Sequence, residues 1–152
     1  MSERHFVPLH LHTESSLLDG AMRTKELVQF AQEQQWKAVG ISDHGNVFGA
    51  VKFFKQAKAA GIKPILGCEM YLKPDASVKN PKDKYHHILL IVKDKQGYEN
   101  LCQLMSFSFS EGYYFKPRID YSALKKYNAG LIASTACLGG HIPRLLRHGH
   151  QE

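Results

Sequence analysis

The 152 residues, 43% hydrophobic and 22% charged, suffice for one ordinary domain, and a domain of this size buries about 70% of the surface its unfolded chain exposes, so it needs no staples. Three cysteines, an odd number at spacings that match no zinc finger, exclude a disulfide framework and fit a reducing, cytoplasmic setting; Met1-Ser-Glu-Arg-His5 carries no secretory h-region and no apolar run reaches membrane-spanning length, so no membrane partner is expected. A formal net charge of +6 and a pI near 9.2 suit a polyanionic partner without requiring one.

Phe6 to His12 reads as a first strand closed by His10-Leu-His12. Imidazoles two apart in a strand project from one face, so this pair can grip a single cation. A polar loop through Asp19-Gly20 leads to a helix capped near Thr24, with Leu27, Val28, Phe30 and Ala31 on its buried side. Lys37 to Ser42 is the second strand. The spacing Val47, Ala50, Val51, Phe54, Ala57 predicts one helical face, closed by Ala60-Gly61. Lys63 to Tyr71 is the third strand, followed by a turn-rich stretch in which Lys73, Lys79, Lys82 and Lys84 accompany Pro74 and Pro81 and read as a solvated loop. His87 to Val92 is a nearly continuous apolar strand, and Tyr98, Leu101, Cys102 and Met105 mark the next helix. Asp120 caps a short helix through Tyr127, Gly130 to Ser134 is a fifth strand, and a last helix lies around Ile142 to Leu146. Strand and helix alternating at this spacing imply right-handed βαβ units and a mostly parallel sheet. Five strands do not close a parallel barrel, so the sheet is open or forms the front of a barrel.

Residue types that bind metals recur just after or within these apolar runs: Asp19, Asp43-His44, Glu69, His86-His87 and Cys137. Strand ends are where α/β domains collect functional groups. Each residue also has a plainer reading. Asp19 before Gly20 is a good turn former, and Asp43-His44-Gly45 is equally a helix-entry turn. Glu69 lies inside the apolar strand Ile65-Leu-Gly-Cys-Glu-Met-Tyr71, where a buried carboxylate is costly unless paired or metal-bound. Cys68 points away from Glu69 and reads as core, as does Cys102 on its helix. His86 and His87 diverge, so only one can face a site. Cys137, in Ser134-Thr-Ala-Cys-Leu-Gly-Gly140, follows a strand, where a thiolate can ligate zinc. One tension stands: His87 begins its apolar run instead of ending it.

Together, His10-Leu-His-Thr-Glu-Ser-Ser-Leu-Leu-Asp-Gly20, Ile41-Ser-Asp-His-Gly-Asn46, Lys63-Pro-Ile-Leu-Gly-Cys-Glu69, the His87 run ending in Lys93-Asp94, Gly97-Tyr-Glu-Asn-Leu101 and Lys116-Pro-Arg-Ile-Asp120 resemble the PHP (polymerase and histidinol phosphatase) domain. More narrowly they resemble the version that opens the alpha subunit of bacterial DNA polymerase III. The resemblance runs over essentially all 152 residues. It implies a distorted (β/α)7 barrel, of which residues 1–152 are a partial PHP domain, the front portion with a mostly parallel sheet and the closing strands absent. It also implies a trinuclear centre of divalent transition metals, zinc, manganese or iron. On that template His10, His12, Asp19, His44, Glu69, His87 and Cys137 fall on ligand positions, and Glu69 is the bridging carboxylate. His10, His12 and Glu69 act in catalysis through the bound metals, Asp43 supports a ligand, and Arg118 with Lys116 faces the substrate phosphate.

The implied chemistry is metal-dependent phosphoester hydrolysis, as 3′ to 5′ exonuclease proofreading or pyrophosphate cleavage, within a DNA-directed DNA polymerase of the cytoplasm. DNA, bound through the parent polymerase, and other replicative subunits, including a proofreading subunit, are the implied partners. Two departures matter. The late Asp-x-His of the family and the polymerase palm, fingers and thumb have no counterpart in this sequence. The chain alone is therefore expected neither to extend primers nor to hydrolyse phosphoesters. Two rival readings remain: a stand-alone phosphoesterase of the histidinol-phosphatase type, and a non-catalytic module that braces the polymerase.

Overall fold

The computed structural model describes residues 6–149 except Leu18 and Asp83. The leader-free reading of Met1–His5 and the last residues, 150–152, lie outside the described residues. The chain divides into two compact units, Met1–Cys68 and Glu69–Glu152.

In the first unit, α1 (Thr24–Glu33) and α2 (Ala50–Ala59) accompany β1 (Ala38–Ile41) and the opening of β2 (Lys63–Lys73). β1 and β2 run parallel, in register from Ala38↔Lys63 to Ile41↔Leu66. Leu27, Val28 and Ala31 of α1, Phe53 and Ala57 of α2, and Val39, Ile41 and Ile62 form one buried cluster. Burial of such apolar surface is what holds helices this short in place.

Three expectations need correction here. Phe6–His12 is not a regular strand, although it follows β1. Gly40 N–H donates to Pro8 O and Ser42 N–H to Leu11 O, both at 2.8 Å, but Leu11 N–H turns to the Ser42 hydroxyl at 3.0 Å. Pro8 has no N–H to give, so the ladder is broken from one side. Thr24 is the first helical residue of α1 and not its cap; Arg23 holds that position without a side-chain bond. The buried face of α2 is Ala50, Phe53 and Ala57, while Val51 and Phe54 are 55% and 44% exposed. Two apolar stripes compete on this helix, and the one carrying Phe53 faces the core.

The second unit continues β2 and adds β3 (His86–Val92), α3 (Lys95–Ser110), β4 (Arg118–Asp120), α4 (Tyr121–Lys126), β5 (Leu131–Ser134) and α5 (His141–Arg147). β4, a strand too short to show a period in the sequence, pairs parallel to β2 from Tyr71↔Arg118 to Lys73↔Asp120. β5 pairs antiparallel to β3, from Leu89↔Ser134 to Val92↔Leu131. The arrangement is an open α/β one with a mostly parallel sheet, in which β1–β2 and β2–β4 are parallel and β3–β5 is antiparallel. α3 buries Leu101, Leu104 and Met105 and packs on β3, β4 and β5, whereas Cys102 is only half-buried. Lys73 is no loop lysine: it ends β2, 4% exposed, with its ammonium on Val78 O at 3.1 Å.

Asp120 caps α4 as expected. Its carboxylate accepts from Ala123 N–H at 2.8 Å, Ser122 Oγ at 2.6 Å and Ala76 N–H at 3.3 Å. Burial opposes its charge, yet these bonds together hold the carboxyl below its ordinary range. A depressed folded pKa stabilises above the unfolded value of about 3.9 and loses that effect as pH falls through the folded value. Asp120→Ala should therefore cost about 1–2 kcal/mol at neutral pH. Urea melts should show the gap between wild type and variant narrowing in strong acid; a gap independent of pH would mean that the charge plays no part in the cap.

Candidate metal centre

In the first unit the turn after Leu11 is tied to the end of β1 by one buried carboxylate. Asp43, 2% exposed, accepts from Thr13 N–H at 2.6 Å, Thr13 Oγ1 at 2.8 Å and Ser16 Oγ at 2.8 Å. Ser16 Oγ in turn accepts from His44 N–H at 3.1 Å, and the Cys68 thiol donates to Asp43 O at 3.2 Å. Thr13 and Ser16 were not singled out in the sequence, since lone hydroxyl residues in a polar loop carry no visible signal. Asp43 thus ties Thr13, which follows His12, and Ser16, which holds His44 N–H, to the end of β1.

Those imidazoles cluster. His10 and His12 meet edge to face with centroids 5.0 Å apart, and His12 stacks on His44 at 4.0 Å. His12 Nδ1 lies 2.9 Å from Ser42 O. A carbonyl only accepts, so Nδ1 carries the proton and Nε2 is the lone-pair nitrogen, the tautomer a metal ligand uses. His44 Nε2 is 3.0 Å from Asp19 Oδ2, and one donor atom each from His12, Asp19 and His44 lies within 4.8 Å of the others.

In the second unit Glu69, His87 and Cys137 form a triangle. Glu69 is fully buried in β2; its Oε1 is 2.5 Å from His87 Nδ1 and 3.4 Å from Cys137 Sγ, and Sγ is 3.5 Å from the same His87 nitrogen. The antiparallel pairing explains the position of His87: the start of β3 lies beside the end of β5, so a residue opening one strand meets a residue following the other. His87 N–H donates to Gly139 O at 3.1 Å, which anchors the turn around Cys137. That turn holds Ala136 at φ 56, and a side chain at Gly139 would press on the His87 ring at 3.3 Å and on Sγ at 3.4 Å. Tyr71 and Tyr85 flank the His87 ring with centroids at 5.3 and 5.9 Å. Of the two adjacent histidines it is His87 that meets Glu69, while His86 stacks on His141.

Burial, joined by the Glu69 carboxylate, pushes the Cys137 thiol above its ordinary range, although Gly139 N–H works the other way. A nearby cation reverses that balance and favours the thiolate. The donor chemistry suits a metal: nitrogen, oxygen and sulfur ligands about 2.0–2.3 Å from a tetrahedral ion lie about 3.3–3.8 Å from one another. The Sγ distances of 3.4 and 3.5 Å are of that size, whereas the 2.5 Å between Glu69 Oε1 and His87 Nδ1 is that of a direct hydrogen bond.

Arg118 does not serve as expected. It is 2% exposed, and its guanidinium donates to Gly112 O at 2.9 Å, Ala76 O at 2.8 Å and Val78 O at 3.1 Å, with the Tyr114 ring beneath it at 5.3 Å. A guanidinium committed to three carbonyls organises loops and is not offered to a phosphate. Lys116 stays exposed, its ammonium 5.6 Å from the Tyr71 ring centroid.

The chain is thus an α/β domain in which residue types that bind divalent metals cluster within each unit: His12, Asp19 and His44 in the first, and Glu69, His87 and Cys137 in the second. The chain matches the PHP domain family over residues 8–152 and belongs to it. It is 54% identical over 146 residues to the DNA polymerase III subunit alpha of Aquifex aeolicus, covering 90% of this chain, and 44% identical over 145 residues to that of Borreliella burgdorferi, covering 93%. The chain spans 13% of the length of each relative. A solved structure from Bifidobacterium adolescentis, assigned as a metal-dependent phosphoesterase, shares the fold with a TM-score of 0.51 at 22% identity, over 69% of this chain and 33% of that one. This likeness fits the front portion of a barrel.

Proposed function

We propose that this PHP domain hydrolyses phosphoesters with two or three divalent metals, zinc, manganese or iron, as part of the alpha subunit of a bacterial replicative DNA polymerase in the cytoplasm. Residues 1–152 are read as a partial PHP domain within that larger protein. Its substrate is the 3′ end of DNA, in proofreading, or the pyrophosphate that polymerisation releases. DNA and the other polymerase subunits are the partners.

The observation that carries this reading is the triangle of Glu69, His87 and Cys137, a buried carboxylate held against two further ligand types. His10, His12, Asp19 and His44 supply the second set of donors. When bound, such metals activate a water near neutral pH and stabilise charge on the leaving oxygen. The chain's own residues hold and orient. Asp43 fixes the turn that bears His12, Glu69 accepts a hydrogen bond from His87 Nδ1, and Lys116 offers an exposed ammonium to the substrate phosphate. Among the described residues no helix is long and apolar enough to cross a membrane.

Metal content tests the proposal directly. The protein, loaded with manganese or zinc and freed of excess by gel filtration, should retain about two or three ions per chain, a range typical of hydrolytic centres with bridging carboxylates. His12→Ala should lower that number. Fewer than one ion per chain, unaltered by His12→Ala, would sink the reading.

A further inference from the structure

Successive residues of a strand face opposite ways, so His86 leaves β3 on the side away from His87 and Glu69. There its ring stacks on His141 of α5, centroids 4.4 Å apart, and the pair helps to line a pocket of about 370 Å³ with Lys84, Arg144, Leu145 and Arg147. Among the described residues that line it, none is acidic. Lys84, Arg144 and Arg147 bring three permanent positive charges to one concavity. Arg144 is anchored through Nη1 to Tyr85 O at 3.3 Å, which orients its fork. His86 Nδ1 is buried and has no hydrogen-bond partner among the described residues. A buried polar atom in that condition points to a ligand or a water that completes it.

We propose that this pocket binds backbone phosphates of single-stranded nucleic acid, separately from the metal-ligand residues. Several positive charges within one small cavity suit a polyanion whose charges recur along a chain, and the volume is that of a nucleotide-sized group. Leu145, 39% exposed, and the imidazole rings give a sugar or base an apolar and aromatic wall, as single-strand sites do. The net charge of +6 favours encounter with such a partner. No metal is involved, so the proposal stands or falls apart from the hydrolytic reading.

The test is fluorescence anisotropy of the 152-residue chain with a labelled oligothymidylate, in chelator at fixed neutral pH and rising salt. Replacing both arginines, Arg144→Gln with Arg147→Gln, should weaken binding roughly tenfold or more at low salt and reduce the log–log salt slope by about 1.4. The pair Lys55→Gln and Lys58→Gln removes the same charge from exposed positions of α2 and should change affinity less than about twofold. Equal loss in both pairs would assign binding to net charge and overturn the pocket. So would oligothymidylate binding that resists the arginine pair, or its displacement by polyglutamate at matched charge. If thermal melts show that the double variant unfolds, Arg147→Gln alone, at an exposed position, should still reduce the slope by about 0.7.

Discussion

Glu69→Gln is expected to reduce metal-dependent release of nucleotides from a DNA 3′ end by roughly 100-fold or more, while primer extension by the intact polymerase stays within about twofold. The argument begins with burial. Glu69 has no exposed surface, and a carboxylate so placed persists only with a partner; here that partner is His87 Nδ1, with the Cys137 thiol second. Gln keeps the shape and one accepting oxygen but removes the charge that a cation requires. Metal loss and activity loss should therefore appear together, in a protein that still folds. Elemental analysis on the same preparation should show at least one ion fewer per chain. The decisive control is removal of any separate proofreading subunit before the nuclease assay. Wild-type nuclease activity retained by the variant after that removal would show that Glu69 does not belong to the site.

How much of this was legible depended on what each pattern reports. The apolar runs Lys37–Ser42, Lys63–Tyr71 and His87–Val92 read as strands because they are buried in a sheet, and the structure has them as Ala38–Ile41, Lys63–Lys73 and His86–Val92. Phe6–His12 is apolar for a different reason: it lies against β1, yet Pro8 and the Ser42 hydroxyl break its ladder, so composition resembled a strand where pairing is irregular. Asp120 announced its cap because Asp before an apolar helical stretch is a local signal. β4 did not, since three residues, Arg-Ile-Asp, have no period to detect. The antiparallel β3–β5 pair was visible only as a misfit, a ligand-type histidine at the wrong end of its strand. Arg118 misled most, because charge in a sequence suggests exposure, and nothing local reveals that Ala76, Val78 and Gly112 aim their carbonyls at it. Residue types that bind metal were thus readable from sequence, while the hydroxyls and carbonyls that hold them in place depend on contacts made across the fold.

Asp43→Ala should lower stability by about 3–4 kcal/mol, a fall in Tm on the order of 10 °C for a chain of this length. Removing the carboxylate strands three donors at once: Thr13 N–H, Thr13 Oγ1 and Ser16 Oγ, on residues that are 0% and 1% exposed. Each buried orphan costs about 1–3 kcal/mol, and because the turn can relax the sum is less than additive. The damage should extend to metal affinity, since Ser16 also holds His44 N–H and the same turn leads to Asp19. Asp43→Asn separates bracing from charge. Its amide oxygen still accepts from Thr13 N–H and Ser16 Oγ, and its NH2 can donate to Thr13 Oγ1 once that hydroxyl rotates, so the cost should be only about 1–2 kcal/mol. Denaturant melts should rank wild type above Asn and Asn above Ala. An Ala variant within about 1 kcal/mol of wild type would mean that the turn holds itself together and that Asp43 braces nothing.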